Sequence, residues 1–208
     1  MASHLRSVGA LTVAGVLLAA QPAGAQVAPQ VSSPVRGWVL AGSAGVASAA
    51  GDNGASLGAA VAWNLAPRWG LELGGQWLAR PTGQEAWAVA ATTQFRVLQR
   101  GRAIPYVHAG LAAFTMTLDS RTRPAPDFYR ARVHASGQNL FRTRHTFTDP
   151  AIVLGGGVDV AVGRNVHVRP SMEALLVVRD RRTFVVPVAA VQVSYHFESG
   201  RITPARGR

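Results

Sequence analysis

Glu72, Arg96, Asp159, Arg169 and Glu173 are the charged residues of this chain best placed to do chemistry together. Each falls in a segment where apolar side chains recur at every second position, and each sits on the other parity, among Gly, Ser, Thr and Gln. If the apolar parity faces outward, these five charges are enclosed, and an enclosed charge without a partner costs several kcal/mol. The chemistry they predict is therefore a network of internal ion pairs that plugs the interior, with Glu72 and Arg96 facing the same space, as do Asp159, Arg169 and Glu173. Free acids and bases, a pore lining or a catalytic dyad are the alternatives that such pairing disfavours.

His108, His167 and His196 share that inward parity and could converge. Their spacing matches no metal-ligand motif, so they are expected as solvated or hydrogen-bonded side chains, with no metal and no cofactor. Gly155-Gly156-Gly157 lies inside a strand-like segment, where glycine marks a bend or close packing rather than a phosphate loop. The chain has no Cys, which argues against a disulfide-stapled module.

The elements that must carry these residues are strands, because the period is two and not 3.6. From Trp69 to Arg80, Trp69, Leu71, Leu73, Gly75 and Trp77 alternate with Gly70, Glu72, Gly74 and Gln76. The same parity runs from Trp87 to Val97, from Val166 to Val178 and from Val185 to Phe197. Weaker segments at Gly37 to Ser48, Ser56 to Leu65, Ile104 to Leu118 and Ala151 to Val162 bring the number to eight. Each is long enough for the roughly 9 to 11 tilted residues of a bilayer crossing. The links Ala66-Pro67-Arg68, Gln99 to Arg102 and Gly163-Arg164-Asn165 are short, whereas Asp119 to Pro150 reads as one long loop.

Trp38, Trp63, Trp69, Trp77 and Trp87, with Tyr195 and Phe197, stand near strand ends, where interface girdles would fall. The net charge of +11 is carried by Arg alone, since there is no Lys. Nucleic-acid binders concentrate such charge in a patch or helix. Here it gathers in turns and in the long loop, at Arg121, Arg123, Arg130, Arg132, Arg142 and Arg144, interleaved with Phe128, Tyr129, Phe141 and Phe147. Arginine forks there would fit phosphate groups bidentately; a solvated loop without a partner is the other reading.

At the N-terminus, Arg6, the apolar run Val8 to Ala20, Pro22 and Ala23-Gly24-Ala25 form a signal-peptide pattern with cleavage expected after Ala25. Residues 26–35 then read as a flexible leader, 36–198 as one all-β domain and 199–208 as a basic tail.

With its signal peptide, the Pro105-Tyr106-Val107-His108-Ala109-Gly110 entry to the fifth strand, the Gly155 to Val160 stretch running on to Arg169, and the closing Val191 to Phe197 strand, the mature chain resembles the eight-stranded outer-membrane β-barrel family of the OmpA and OmpX type. The resemblance implies an antiparallel up-and-down transmembrane barrel in the Gram-negative cell envelope. It also implies neighbours of outer-membrane lipid and lipopolysaccharide, insertion by the barrel-assembly machinery and a monomeric state. The expected role is structural or interactive, through the long outer loop. Two competitors are a lipid A hydrolase and a soluble periplasmic ligand-binding barrel of lipocalin shape. The first rests on His134-Ala135-Ser136, which is similar to the His-x-Ser pair of a lipid A deacylase family but lies in the loop without an acidic orienter. The second requires polar residues to face outward.

Overall fold

The computed structural model describes residues 37–49, 52–79, 85–98, 101–119, 127–136, 144–179 and 182–197. They form β1 (Trp38–Ala49), β2 (Asp52–Asn64), β3 (Trp69–Ala79), β4 (Glu85–Arg96), β5 (Ala103–Asp119), α1 (Asp127–Ser136), β6 (Arg144–Ala161), β7 (Val166–Arg179) and β8 (Arg182–His196). Every strand pairs antiparallel with the next, and β8 closes on β1 through Leu40 opposite Tyr195 and Ala44 opposite Val191. Closure leaves no strand edge, which is the condition for a sheet to stand in lipid with its backbone polar groups satisfied. The expected signal peptide, leader and tail lie outside the described residues.

Alternation decides which way the wall faces. Leu71, Leu73, Val89, Leu111, Met172 and Val191 all point out of the barrel, Leu111 with 70% of its surface open, while Glu72, Arg96 and Glu173 point into the lumen. A contiguous apolar exterior of this kind is an aggregation surface in water and a matching surface in hydrocarbon. The lipocalin-type alternative is thereby overturned. No helix among the described residues is long and apolar enough to cross a membrane; the crossing is made by strands.

The strands overrun their expected limits at one rim. β2 starts at Asp52 rather than Ser56, β4 at Glu85 rather than Trp87, β8 at Arg182 rather than Val185, and β6 at Arg144 rather than Ala151. In β6 the parity never breaks: Arg144, Thr146 and Thr148 face out, and His145, Phe147 and Asp149 face in. Beyond the apolar band the outer face turns polar, so hydrophobic alternation ends there although the hydrogen-bonded ladder continues. Thr115 and Thr117 of β5 meet Thr148 and Thr146 across the strands, Oγ1 to Oγ1 at 3.0 and 3.2 Å. What read as one loop from Asp119 to Pro150 thus includes the end of a strand pair and helix α1. At the other rim the turns are tight, and Gly101 holds φ 128°, a conformation that favours glycine.

The lumen has two tiers. Near the rim that holds both chain ends it is polar. Toward the opposite rim it is apolar, filled by Leu78, Phe114, Met116, Leu118, Leu175 and Val177 and covered by Tyr129 of α1, all fully buried. The expectation of charged and small residues along the whole inner face holds only for the first tier.

Candidate functional site

The polar tier is assembled from inward positions of all eight strands, β1 contributing Ser43. Glu72 of β3 and Arg169 of β7 stand on opposite walls, and Arg169 Nη1 donates to Glu72 Oε2 at 3.3 Å across the lumen. The Arg169 guanidinium also lies 4.7 Å from the Tyr106 ring centroid. A second crossing joins the same walls one layer deeper, where Gln76 Nε2 donates to Glu173 Oε1 at 3.3 Å and His108 Nε2 lies 3.4 Å from Glu173 Oε2. Between the crossings is a cavity of about 80 Å³ lined by Glu72, Gln76, Thr92, His108, Glu173 and Gln192 among others. That is room for several water molecules among polar side chains.

All five expected lumen charges are therefore inside, and one ion pair forms within the set, Arg169 with Glu72, while Arg96, Asp159 and Glu173 take partners from outside it. Arg96 does not meet Glu72. Glu72 lies opposite Thr92 and Arg96 opposite Tyr106, two inward positions apart, so Arg96 Nη2 donates instead to Asn64 Oδ1 at 2.5 Å. Asp159 takes His167 Nδ1 at 2.7 Å rather than Arg169 or Glu173. The β6–β7 ladder is interrupted between Gly157–Ser171 and Val160–Val168, where Pro170 has no N–H to offer. The three histidines also separate: His167 and His196 stack with centroids 4.0 Å apart, while His108 stays with Glu173. Asn64, Gln76 and Tyr106 were missed as partners, and their inward parity was the one signal available for them.

At the opposite rim α1 is the unexpected element. Asp127 in its first turn and His134 in its last suit the helix dipole, and Asp127 pairs with Arg130 at 2.6 Å. Phe128 stacks on Phe184 at 5.6 Å, and Tyr129 on Phe147 at 5.6 Å. Arg132 turns toward the wall, where its Nη1 donates to both oxygens of buried Asp149, at 2.8 and 3.0 Å, and its guanidinium lies 4.2 Å from the Phe147 centroid. Arg179 donates to Asp149 from the far side at 2.9 Å. Arg132 was expected to offer its charge outward, and this pairing corrects that reading. Arg130 and Arg144 are exposed; Arg121, Arg123 and Arg142 lie outside the described residues. His134, Ala135 and Ser136 fall in the last turn of α1 and not on a strand.

The outer wall carries aromatics at two levels. At the rim of the chain ends Trp38 stacks on Trp63 at 5.6 Å, Trp69 tilts against Phe95 at 4.9 Å and Tyr195 meets Phe197 edge-on at 4.9 Å. At the other level Trp77 faces Trp87 at 6.4 Å. Trp69 and Trp77 are eight residues apart on one strand, which is roughly 20 Å of height at about 3.3 Å per residue and a tilt of about 40°. That separation is close to the apolar band of about 25 Å expected of a transmembrane barrel.

Among solved structures the chain is similar to Neisserial surface protein A, at 15% identity over 77% of this chain and 96% of that one, with a TM-score of 0.58. Its fold is that of the small outer-membrane β-barrels. The N-terminal β-barrel domain of Pseudomonas aeruginosa OprF matches at 13% identity over 78% and 100% of the two chains, TM-score 0.56. The outer-membrane protein OprG from Pseudomonas aeruginosa matches at 13% over 81% and 99%, TM-score 0.53. No family model matches the sequence, and a search of curated proteins finds no relative. The barrel fold and its apolar band, framed by aromatics, place the protein in the bacterial outer membrane.

The girdle of this outer-membrane barrel gives a direct expectation. Trp63→Ala removes the Trp38 stacking partner and should lower unfolding stability in lipid bilayers by about 1 kcal/mol, the worth of an aromatic pair beyond its area. Urea titration followed by tryptophan fluorescence measures it, and an unchanged midpoint would count against an anchoring role.

Proposed function

We propose that this barrel is a sealed, non-enzymatic structural element of the outer membrane that presents its α1 rim to the outside as an interaction surface. The observation that carries this reading is the filling of the lumen from both ends. Two ion-pair and hydrogen-bond crossings span one tier, and an apolar core capped by Tyr129 occupies the other. Eight strands enclose just enough space for side chains, and an aqueous channel belongs to barrels of about twice that number. With the chain ends on the periplasmic side, the longest connection and its helix face outward, as in other outer-membrane barrels. The closing β8 strand would be the segment recognised by the barrel-assembly machinery, and the protein would act as a monomer in a lipid and lipopolysaccharide surround.

The purified protein in planar bilayers should give no steady single-channel steps; a reproducible unitary conductance would overturn the sealed reading. The ligand chemistry of the outer rim is phosphate, taken by Arg130 and Arg144 together with Arg121, Arg123 and Arg142 of the same connection. Charge-removing Gln substitutions at these five positions should weaken association with lipopolysaccharide-containing vesicles relative to phosphatidylethanolamine vesicles. Equal association of variant and parent would remove that part of the proposal. An enzyme would instead change the mass of lipid A on incubation.

A further inference from the structure

Asp159, His167 and His196 form a compact cluster that the lumen crossings do not use. One oxygen of Asp159 and one ring nitrogen from each histidine lie within 4.8 Å of one another, and all three residues are more than nine-tenths buried. They come from three strands, β6, β7 and β8, and meet one layer inside the rim of the chain ends: His196 closes β8, and His167 is the second residue of β7. His167 Nδ1 is 2.7 Å from Asp159 Oδ1, so these two atoms face each other across a position that a shared proton or an ion can take. His196 Nε2 faces Ser194 Oγ at 3.3 Å, whereas His196 Nδ1 is buried and has no hydrogen-bond partner among the described residues. An orphaned imidazole nitrogen beside a second imidazole and a carboxylate is a donor set awaiting an acceptor.

We propose that Asp159, His167 and His196 bind a borderline transition-metal ion of the Zn²⁺ or Cu²⁺ class. Two imidazoles and one carboxylate suit such ions and not Mg²⁺ or Ca²⁺, which prefer shells of oxygen. Ligands at about 2.1 Å in a tetrahedron stand about 3.4 Å apart, so separations of up to 4.8 Å must close while the 2.7 Å between His167 and Asp159 opens, both small movements within the reach of χ rotations. The local charge sharpens the choice. Arg96 and Arg169 both interact with Asp159, Arg169 is neutralised by Glu72, and with neutral histidines the four charges sum to zero. An ion held by charge alone would therefore gain little here, while one that forms strong bonds to imidazole nitrogen overcomes the two arginines. Ser194 Oγ or a water would complete the shell.

The test uses the folded barrel in detergent micelles, with Zn²⁺ competed against a chromophoric chelator. One equivalent should bind, and His196→Gln and Asp159→Asn should each weaken it by about 100-fold or more, since loss of a ligand costs at least as much as loss of an outer-shell partner. His134→Gln, at an exposed helix position, should leave binding unchanged. The parent loaded with Cu²⁺ should show the electron paramagnetic resonance signature of two nitrogen ligands, a readout that does not depend on a variant folding. Binding by the parent no tighter than by His196→Gln, or a copper spectrum without two nitrogens, would overturn the proposal and leave a hydrogen-bonded polar cluster.

Discussion

Glu72→Ala should lower the unfolding free energy of the barrel by about 3 kcal/mol or more, the range seen when one partner of a buried ion pair is removed. Arg169 keeps only 4% of its side chain open, so its guanidinium has almost no access to solvent. Without Glu72 it retains the Tyr106 ring, 4.7 Å away, and the more distant charge of Asp159. The penalty is thus one of leaving a cation unpaired and not a measure of what the pair adds. The double variant Glu72→Leu with Arg169→Met should recover most of the loss, because an apolar pair of similar volume replaces both desolvated ions. Urea midpoints in lipid bilayers, or the temperature at which heat-modifiable gel migration changes, would show the effect. A single variant with the parent's midpoint would mean that the crossing at 3.3 Å contributes nothing.

The second large effect is local. Tyr129→Ala removes a fully buried ring that touches Phe128, Phe147 and Phe184, and burial of that size is worth about 3 kcal/mol or more. Because α1 can leave the rim while the barrel stays closed, the loss falls on docking of the helix and not on the sheet. A change of about 3 kcal/mol raises the undocked population roughly 100-fold, and cleavage of the 120–143 connection by added protease should rise with it. The barrel itself should remain resistant. Asp149→Ala should act in the same direction but less, since Arg132 and Arg179 are 25% and 34% exposed and can turn toward water. Protease sensitivity equal to the parent's in Tyr129→Ala would show that the helix is held by something other than its aromatic face.

The two-residue period was sufficient to place Leu71 and Leu73 against lipid and Glu72 in the lumen, because a strand offers only two faces. From that came eight strands and aromatics at the strand ends, while closure is seen only in the pairing of β8 with β1. Parity says nothing about which inward residues meet across an enclosed space. Glu72 and Arg169 are 97 residues apart on opposite walls, and their contact depends on barrel radius and strand stagger, quantities absent from any local window. The same geometry brought His167 onto His196 and sent Arg96 to Asn64. The α1 segment was hidden for a different reason. Asp127, Arg130, Arg132 and His134 interrupt its few apolar side chains, so Phe128 and Tyr129 read as loop residues until the apolar upper lumen gave them a surface to cover. Local alternation thus fixes facing, whereas pairing and capping are decided only when the sheet has closed and distant side chains share one small volume.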